Sequence, residues 1–209
     1  MNQQKQEPPK PRGRPSRRPQ IIAATENLIR SQGLASVTTR AIAAEVGCSE
    51  GALYVHFKGR LQLLLAVLEE SLPDMVVPLQ TLERSVGKAT PKRNLEKALR
   101  AMFTFHTRVA PMLCALFADP ELLAAYRQSL VNHNKGPHRA ISRIRGYIRA
   151  EQELGRIHKD IDAQSAATML MAGSFFHAFV EQFTGKADRF DAFSKALLTS
   201  MLRGSSVSA

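Results

Sequence analysis

Apolar residues recur at helical spacing along most of the chain from residue 18 onwards, with polar residues between them. The first such segment contains Ile21, Ile22, Ala24, Leu28 and Ile29. Apolar positions three and four residues apart fall on one face of an α-helix, and Gly33 stands where a C-cap is expected. No segment alternates apolar and polar residues for long enough to predict a strand. The pattern therefore predicts an all-α protein.

The stretch VTTRAIAAEVGCSEGALYVHF, residues 37–57, predicts two short helices joined by a tight turn. Thr38 or Thr39 is placed to cap the first helix, because a hydroxyl at this position accepts from a free backbone N–H. Gly47 is expected to end that helix, and Ser49 is expected to cap the next one. Two short helices around a glycine-containing turn are typical of a helix-turn-helix.

A longer apolar helix is predicted from about Lys58 to Pro73, and five further helices after it. Pro73 and Pro78 are expected to kink or interrupt the first of these, because proline lacks a backbone donor and clashes with the preceding turn. The segment GKATPKRN, residues 87–94, is predicted to form a loop. The later helical segments are LEKALRAMFTFHTRVAPMLCALF, PELLAAYRQSLVNH, HRAISRIRGYIRAEQEL, AQSAATMLMAGSFFHAFVEQF and FDAFSKALLTSML.

This pattern divides the chain into three parts. We expect a disordered basic arm over residues 1–17, because that stretch has almost nothing to bury. A helix-turn-helix domain is predicted over residues 18–72, and a larger helical bundle over residues 73–209.

Positive charge is concentrated near the N-terminus. The 209 residues carry a formal net charge of +11. Residues 1–60 hold ten Lys and Arg against four Asp and Glu, a surplus of six, so the rest of the chain contributes only five. Such an excess favours a polyanionic partner, either nucleic acid or an anionic membrane surface.

Several other classes of protein are not predicted. No apolar run is long enough to span a bilayer, and the basic N-terminus lacks the apolar core of a secretory signal, so we expect a cytoplasmic protein. His133 and His138 lie five apart without a third ligand at a suitable spacing, so no metal is predicted. Neither a nucleophile elbow nor a phosphate loop is present. The sequence therefore predicts neither an enzyme nor a bound cofactor.

The segment TTRAIAAEVGCSEGALYVHFKGRLQLLLAVLE, residues 38–69, resembles the DNA-binding signature of the TetR family of transcriptional regulators. The matching features are the Thr-Thr pair, Ala-x-x-x-Gly at the turn, and Ser-x-Gly-x-Leu-Tyr-x-His-Phe-Lys over the following helix. Arg60 and Leu61 depart from the lysine and glutamate that are frequent there. The resemblance implies a DNA-binding head followed by a bundle that holds a small effector.

The second helix of the motif is expected to place its first residues against base edges in the major groove of double-stranded DNA. Ala52 is suited to a thymine methyl and Glu50 to a cytosine amine, although an acid facing DNA is repelled unless it meets a donor. Tyr54 and Lys58 are expected to reach phosphates. The predicted DNA contacts in the motif are Thr38, Thr39, Arg40, Ser49, Glu50, Gly51, Ala52, Tyr54, His56 and Lys58. The alternative for the two threonines is a role as helix caps alone.

The basic stretch KPRGRPSRRPQ lies directly before the first predicted helix. Its RGRP sequence is similar to the core of an AT-hook, an arm that lies in narrow A·T-rich minor grooves. Such grooves concentrate negative potential and attract inserted arginine. Arg12 and Arg14 are therefore predicted to contact DNA, and a solvated charge run is the alternative.

The larger bundle is expected to hold a small apolar or aromatic effector, as the family resemblance implies. Methionines, aromatic rings and one titratable group are suited to line an apolar pocket, and ordinary core packing is the alternative for each residue. The predicted lining is Met102, Phe103, His106, Met112, Phe117, Tyr126, Met169 and Phe176.

The segment 163–183 is apolar on nearly every side, so it must be buried on every side. One face is expected to meet the bundle, and another to meet a second copy of the chain in an isologous interface. The predicted interface comprises Leu170, Gly173, His177, Val180, Leu197 and Met201.

Together these features predict a TetR-like, dimeric, sequence-specific regulator, a repressor that its effector releases from a pseudo-palindromic operator. The main alternative is an architectural DNA-binding protein of weak sequence preference that depends on its AT-hook-like arm. A third possibility is an interaction protein whose second bundle binds another protein.

Overall fold

The computed structural model describes residues 16–33, 36–186 and 189–203, which form ten α-helices and no strand. In chain order the helices are α1 Arg18–Gln32, α2 Thr39–Val46, α3 Glu50–His56, α4 Arg60–Ser71, α5 Pro73–Glu83, α6 Pro91–Phe117, α7 Pro120–Asn132, α8 Pro137–Glu153, α9 Ala163–Thr184 and α10 Phe190–Leu202. The predicted all-α class is confirmed. None of the described helices is long and apolar enough to cross a membrane.

The ends of the helix-turn-helix elements are set by three local residues. The Thr38 side chain accepts a hydrogen bond from the backbone N–H of Ala41 at 3.1 Å, at the start of α2. Gly47 ends α2 in the left-handed conformation, with φ 67° and ψ 46°. The Ser49 hydroxyl accepts from the backbone N–H of Ala52 at 3.2 Å and caps α3. These caps match the sequence expectations, with Thr38 rather than Thr39 in the capping position.

Helices α1 to α4 pack into a small head around one apolar centre. The buried residues of this centre are Ile21, Ile22, Leu28, Ile29, Val37, Ile42, Leu53, Phe57, Leu63 and Leu64. Leu53 and Phe57 turn inward from α3 and its C-terminus, as their spacing predicts. The guanidinium of Arg18 lies over the Phe57 ring, 5.3 Å from its centroid, so a cation lies at the boundary of the apolar centre.

The predicted long helix after the motif is divided at Pro73. Helix α4 ends at Ser71, and α5 begins with the proline, which suits a first helical position because its missing N–H would have no partner there. Leu72 keeps helical dihedral angles between the two. Pro78 lies inside α5, and that helix continues past it.

The predicted loop over residues 87–94 is too long at its C-terminal end. Helix α6 already begins at Pro91, because proline is again favoured in the first turn. The hydroxyl of Thr90 also accepts a hydrogen bond from the backbone N–H of Arg93 at 3.2 Å. Thr90 therefore caps the start of α6 inside the segment that was predicted to be a loop.

Helices α6 and α9 run together through the middle of the larger bundle, with α5, α8 and α10 around them. The buried apolar residues continue from the head into this bundle as one cluster. The α5–α6 loop lies at one end of the bundle. There the buried carboxylate of Glu151 accepts a hydrogen bond from the backbone N–H of Gly87 at 3.1 Å. The side-chain amide of Asn94 donates to the hydroxyl of buried Tyr147 at 3.0 Å. Burial raises the pKa of Tyr147 to about 12.

Candidate nucleic-acid interface

The outer face of α3 is short, polar at its start and apolar at its centre. Glu50, Gly51, Tyr54 and Val55 are exposed along this seven-residue helix. Tyr54 is 54% exposed and Val55 is 81% exposed, so two large side chains project from the head without covering any of its core. A protruding helix with this surface has the dimensions that fit a DNA major groove.

Gly51 has no structural role that the head requires. Its φ is not positive, and a Cβ built at this position would meet only the Ser49 hydroxyl oxygen, at 3.9 Å. Glycine inside a helix costs about 0.5–1 kcal/mol relative to alanine. Neither the backbone conformation nor a close neighbour requires glycine at this position, and the space beside the α3 backbone is open.

A hydrogen bond joins the starts of α2 and α3. The hydroxyl of Thr39 donates to the Glu50 carboxylate at 2.6 Å. This bond fixes the carboxylate at the start of α3 and engages the hydroxyl proton of Thr39, a residue predicted to contact DNA. Glu50 keeps a second carboxylate oxygen for a donor such as a cytosine amine.

Cationic and donor groups lie at both ends of the helix-turn-helix. Arg40 and Lys58 are exposed, and His56 is half-buried in the last turn of α3. The backbone N–H of Lys58 donates to the Gln62 side chain at 2.8 Å, which orders the chain entering α4. Arg17 donates to the Gly47 carbonyl at 3.4 Å, so this arginine lies next to the turn.

The remaining predicted DNA contacts differ in exposure and in structural role. Thr38 and Ser49 are exposed and act as caps, and Ala52 is half-buried. Arg12 and Arg14 of the arm lie outside the described residues. Val55 was not among the predicted DNA contacts. The sequence did contain a signal for it, because Val55 follows Gly51 by one helical turn and so lies on the same face of α3.

The predicted pocket residues do not form one lining. Met102, His106 and Met112 are buried in the core, and Phe103 and Tyr126 are half-buried. Phe103 stacks on Phe190 of α10, with ring centroids 4.1 Å apart. The other three predicted residues are exposed: Phe117 at 70%, Met169 at 51% and Phe176 at 61%. The prediction joined buried and exposed positions because it rested on residue type alone.

His106 is enclosed at the contact of α6 and α9. Its Nδ1 lies 3.1 Å from the Ser174 hydroxyl oxygen, and that hydroxyl donates to the Met171 carbonyl at 2.8 Å. The Ser174 proton is therefore engaged, so Nδ1 carries the proton of the neutral ring and donates to the serine. Burial lowers the pKa of His106 to about 4. The imidazole is neutral at pH 7 and acts as a polar member of the core.

Two open grooves mark the surface of the larger bundle. A groove of about 380 Å³ runs between α5 and α6, with mainly apolar walls that include Val77, Leu82 and Ala98 and with Asn94 and Lys97 as polar members. A second groove of about 570 Å³ lies where α1, α6 and α9 meet. Of the predicted pocket residues, Phe103 lines the second groove.

The inner face of α9 includes residues that were predicted for a subunit interface. Leu170 is fully buried in the single chain, so a second copy cannot reach it while the fold is intact. A Cβ on Gly173 would lie 2.9 Å from the Phe193 ring, which shows how closely α10 approaches there. The His177 ring centroid lies 4.0 Å from that of Phe193. Leu197 and Met201 of α10 also pack against the core, and Val180 is half-buried.

The outer face of α9 is an exposed apolar stripe. It consists of Met169, Ala172, Phe176, Phe179 and Phe183, at spacings that alternate between three and four residues. Phe183 is 81% exposed, and its ring stacks on Phe179 with centroids 5.9 Å apart. Helix α10 therefore covers the face of α9 that was predicted to meet a second subunit, and the stripe is exposed in the single chain.

Groups of three or more His, Cys, Asp or Glu side chains that could hold a metal are absent from the described part of the chain. Cys48 is half-buried and Cys114 is exposed, and both are free thiols.

The head matches a known family of regulators. Residues 21–67 fit the family model described as bacterial regulatory proteins, tetR family. The HTH-type transcriptional regulator YerO of Bacillus subtilis is 34% identical over 83 residues, which cover 40% of this chain but only 29% of that protein. The nucleoid occlusion factor SlmA of Marinobacter nauticus is 26% identical over 177 residues, 85% of either chain.

Solved structures extend the likeness to the whole fold. A TetR-family transcriptional regulator from Mesorhizobium loti superposes with a TM-score of 0.70 at 16% identity, over 90% of this chain and 95% of that one. The regulator FadR of Bacillus subtilis in complex with stearoyl-CoA gives 0.63 at 19% identity, over 88% and 97% of the two chains. At such identities the likeness establishes a shared fold.

Proposed function

We propose that this chain, whose residues 21–67 fit the model of the tetR family of bacterial regulatory proteins, is a dimeric, sequence-specific DNA-binding repressor controlled by a small effector. The relatives and structural neighbours described above are regulators or DNA-associated factors rather than enzymes. The head over residues 18–72 reads DNA, and the bundle over residues 73–209 binds the effector and the second subunit. The arm with Arg12 and Arg14 adds affinity from the minor groove.

The observation that carries DNA reading is the outer face of α3. Gly51 lets the helix backbone approach the floor of the groove, and Ala52 and Val55 offer methyl groups to thymine. The Thr39 hydroxyl holds the Glu50 carboxylate so that its other oxygen faces a base donor. Arg40, Tyr54 and Lys58 reach the phosphates on either side and fix the register.

The proposed homodimer is supported by the exposed apolar stripe of α9, defined above as Met169, Ala172, Phe176, Phe179 and Phe183. Burial of one such aromatic side chain contributes roughly 1.5–3 kcal/mol, so three exposed phenylalanines favour association strongly. A stripe that pairs with its own copy gives a two-fold axis. That symmetry presents two heads to the two half-sites of a palindrome.

Effector control is supported by the fold and by the grooves of the larger bundle. The structural neighbour FadR of Bacillus subtilis was determined with stearoyl-CoA, so this architecture accepts a ligand with a long apolar chain. In this chain the α5–α6 groove has apolar walls and a volume within the usual range for small ligands. An effector that binds better to a dimer with displaced heads releases the operator.

The salt dependence of DNA binding tests the assignment of the head. Lys58→Ala and Tyr54→Ala each remove one predicted phosphate contact while leaving the α9 stripe intact. Loss of the Lys58 charge should weaken binding to all sequences and make the log–log salt slope shallower by about one unit. Lys186→Ala, which removes an exposed lysine just beyond α9, is the matched control. An unchanged slope for Lys58→Ala would exclude the proposed contact.

A second candidate function comes from the likeness to a nucleoid occlusion factor over 85% of either chain. A factor of that kind acts on the nucleoid, whereas the proposed repressor acts at a few operators beside genes. Mapping the bound sites in cells distinguishes the two functions, and clustering upstream of a small number of genes supports the repressor.

A further inference from the structure

A three-residue ion cluster ties the DNA-binding head to the larger bundle. The guanidinium of Arg108 on α6 holds both oxygens of Glu26 on α1, with Nε–Oε1 2.6 Å and Nη2–Oε2 2.7 Å. Its remaining nitrogen, Nη1, donates to Oδ2 of Asp74 on α5 at 2.7 Å. We call Glu26, Asp74 and Arg108 the head clamp.

The geometry of the clamp is more specific than that of an ordinary surface ion pair. Two parallel N–H···O bonds between guanidinium and carboxylate fix their relative orientation as well as their distance. The side chains are 30% exposed for Arg108 and 16% for Glu26, so water screens this pair only in part. Hydrogen bonds to the carboxylate of Glu26 and, to a smaller extent, to that of Asp74 raise the pKa of Arg108 above its ordinary value. The guanidinium is therefore charged at every physiological pH.

The head clamp lies between the head, which is proposed to bind DNA, and the bundle, which is proposed to bind the effector. Helix α1 packs against α2, and α2 packs against α3, so a rotation of α1 should move α3 through α2. On the bundle side, Pro111 lies one turn beyond Arg108 and leaves the Thr107 carbonyl without its helical donor. Helix α6 is therefore easiest to bend next to the residue that holds the head. The groove lined by Glu26, Arg30 and Arg108 opens beside the clamp.

We propose that Arg108 is a positioning residue for operator recognition, holding each head at the angle at which the two α3 helices of a dimer meet both half-sites. This inference rests on the proposed function, because it presupposes a dimer and a palindromic operator. It assigns to Arg108 no contact with DNA. Movement of α6 at Pro111 would change the head angle through the clamp.

The test compares affinity for a full palindrome with affinity for a single half-site. Arg108→Gln should lower full-site affinity on the order of tenfold, within the usual range of coupling between sites, and leave half-site affinity unchanged. A merely structural role would change both affinities by the same factor. Arg108→Lys keeps the charge but loses the two parallel bonds, and it should recover only part of the full-site affinity.

Arg143→Gln is the matched control, because Arg143 pairs with Glu83 between α8 and α5 and touches no part of the head. If Arg108→Gln folds poorly, Glu26→Gln and Asp74→Asn remove the partners of Arg108 one at a time. Full-site and half-site affinities are then compared for these two variants. Equal losses for full and half-sites, or behaviour like that of the control, would overturn the role of Arg108. A wild-type protein that binds the full site no better than the half-site would instead contradict the proposed function.

Discussion

Gly51 on α3 is the residue at which helix stability and the proposed DNA binding should oppose each other. Gly51→Ala should raise the free energy of unfolding by up to about 1 kcal/mol, because alanine favours the helix and the added Cβ meets only the Ser49 oxygen at 3.9 Å. The same Cβ should weaken operator binding by holding the backbone away from the bases. Chemical denaturation and a binding titration measure the two effects. An alanine variant with undiminished operator affinity would show that α3 does not approach the groove closely.

Val55 should determine the base preferred at one position in each half-site. Val55→Ala removes two methyl groups that are 81% exposed in the free head, so stability should hardly change. A lost base contact costs roughly 1–3 kcal/mol of discrimination at its position. Parallel selections of bound DNA with the wild type and the variant measure this, with Val131→Ala as the control because Val131 is a similarly exposed valine on α7. Identical preferences in all three proteins would remove Val55 from the base-reading surface.

His106 should make folding sensitive to acid. Its folded-state pKa of about 4 lies below the ordinary 6.5, so the unfolded chain binds the proton first as the pH falls. Stability is then fully present above about pH 6.5 and falls by up to about 3 kcal/mol as the pH approaches 4. Unfolding measured between pH 7 and pH 4 should show this loss in the wild type and much less of it in His106→Gln. His133→Gln, at an exposed histidine, should keep the wild-type slope.

At the scale of helices, the α9 stripe should hold the dimer together. Phe176→Glu places a charge at the centre of the stripe and should give monomers at micromolar concentration, because an unpaired charge is costly to bury. Phe117→Glu is the matched control, since Phe117 is 70% exposed on α6 and lies off the stripe. Light scattering or sedimentation measures the mass. A Phe176→Glu variant that remains as dimeric as the control would place the interface elsewhere.

Helix ends in the head were predictable from sequence, whereas the faces of α9 were not. A cap such as Thr38 or Gly47 depends on backbone groups a few residues away, and so its effect is local. Helix α9 is apolar all round, so its sequence does not say which side α10 covers. That choice depends on Phe193 fitting against Gly173, twenty residues earlier in the chain.

The periodicity of apolar residues does not predict contacts between distant parts of the chain. Glu26 and Arg108 are separated by 82 positions, and neither residue stands out in the sequence. Helical periodicity and the family resemblance nevertheless predicted a division into a head and a bundle, because the helix-turn-helix signature lies in one continuous stretch. The family resemblance implied an effector pocket but not its lining, and residue type alone could not distinguish buried Met102 from exposed Phe176.

For the whole molecule, the central claim is that two heads in one dimer read a palindromic operator. Selection of bound DNA from a random pool at about physiological salt tests it most directly, because non-specific binding is weak there. We predict an enriched palindrome with half-sites at a fixed spacing, about 34 Å or one DNA turn from centre to centre. No enrichment, or enrichment of A·T-rich tracts alone, would contradict the account and leave the basic arm as the main DNA-binding element.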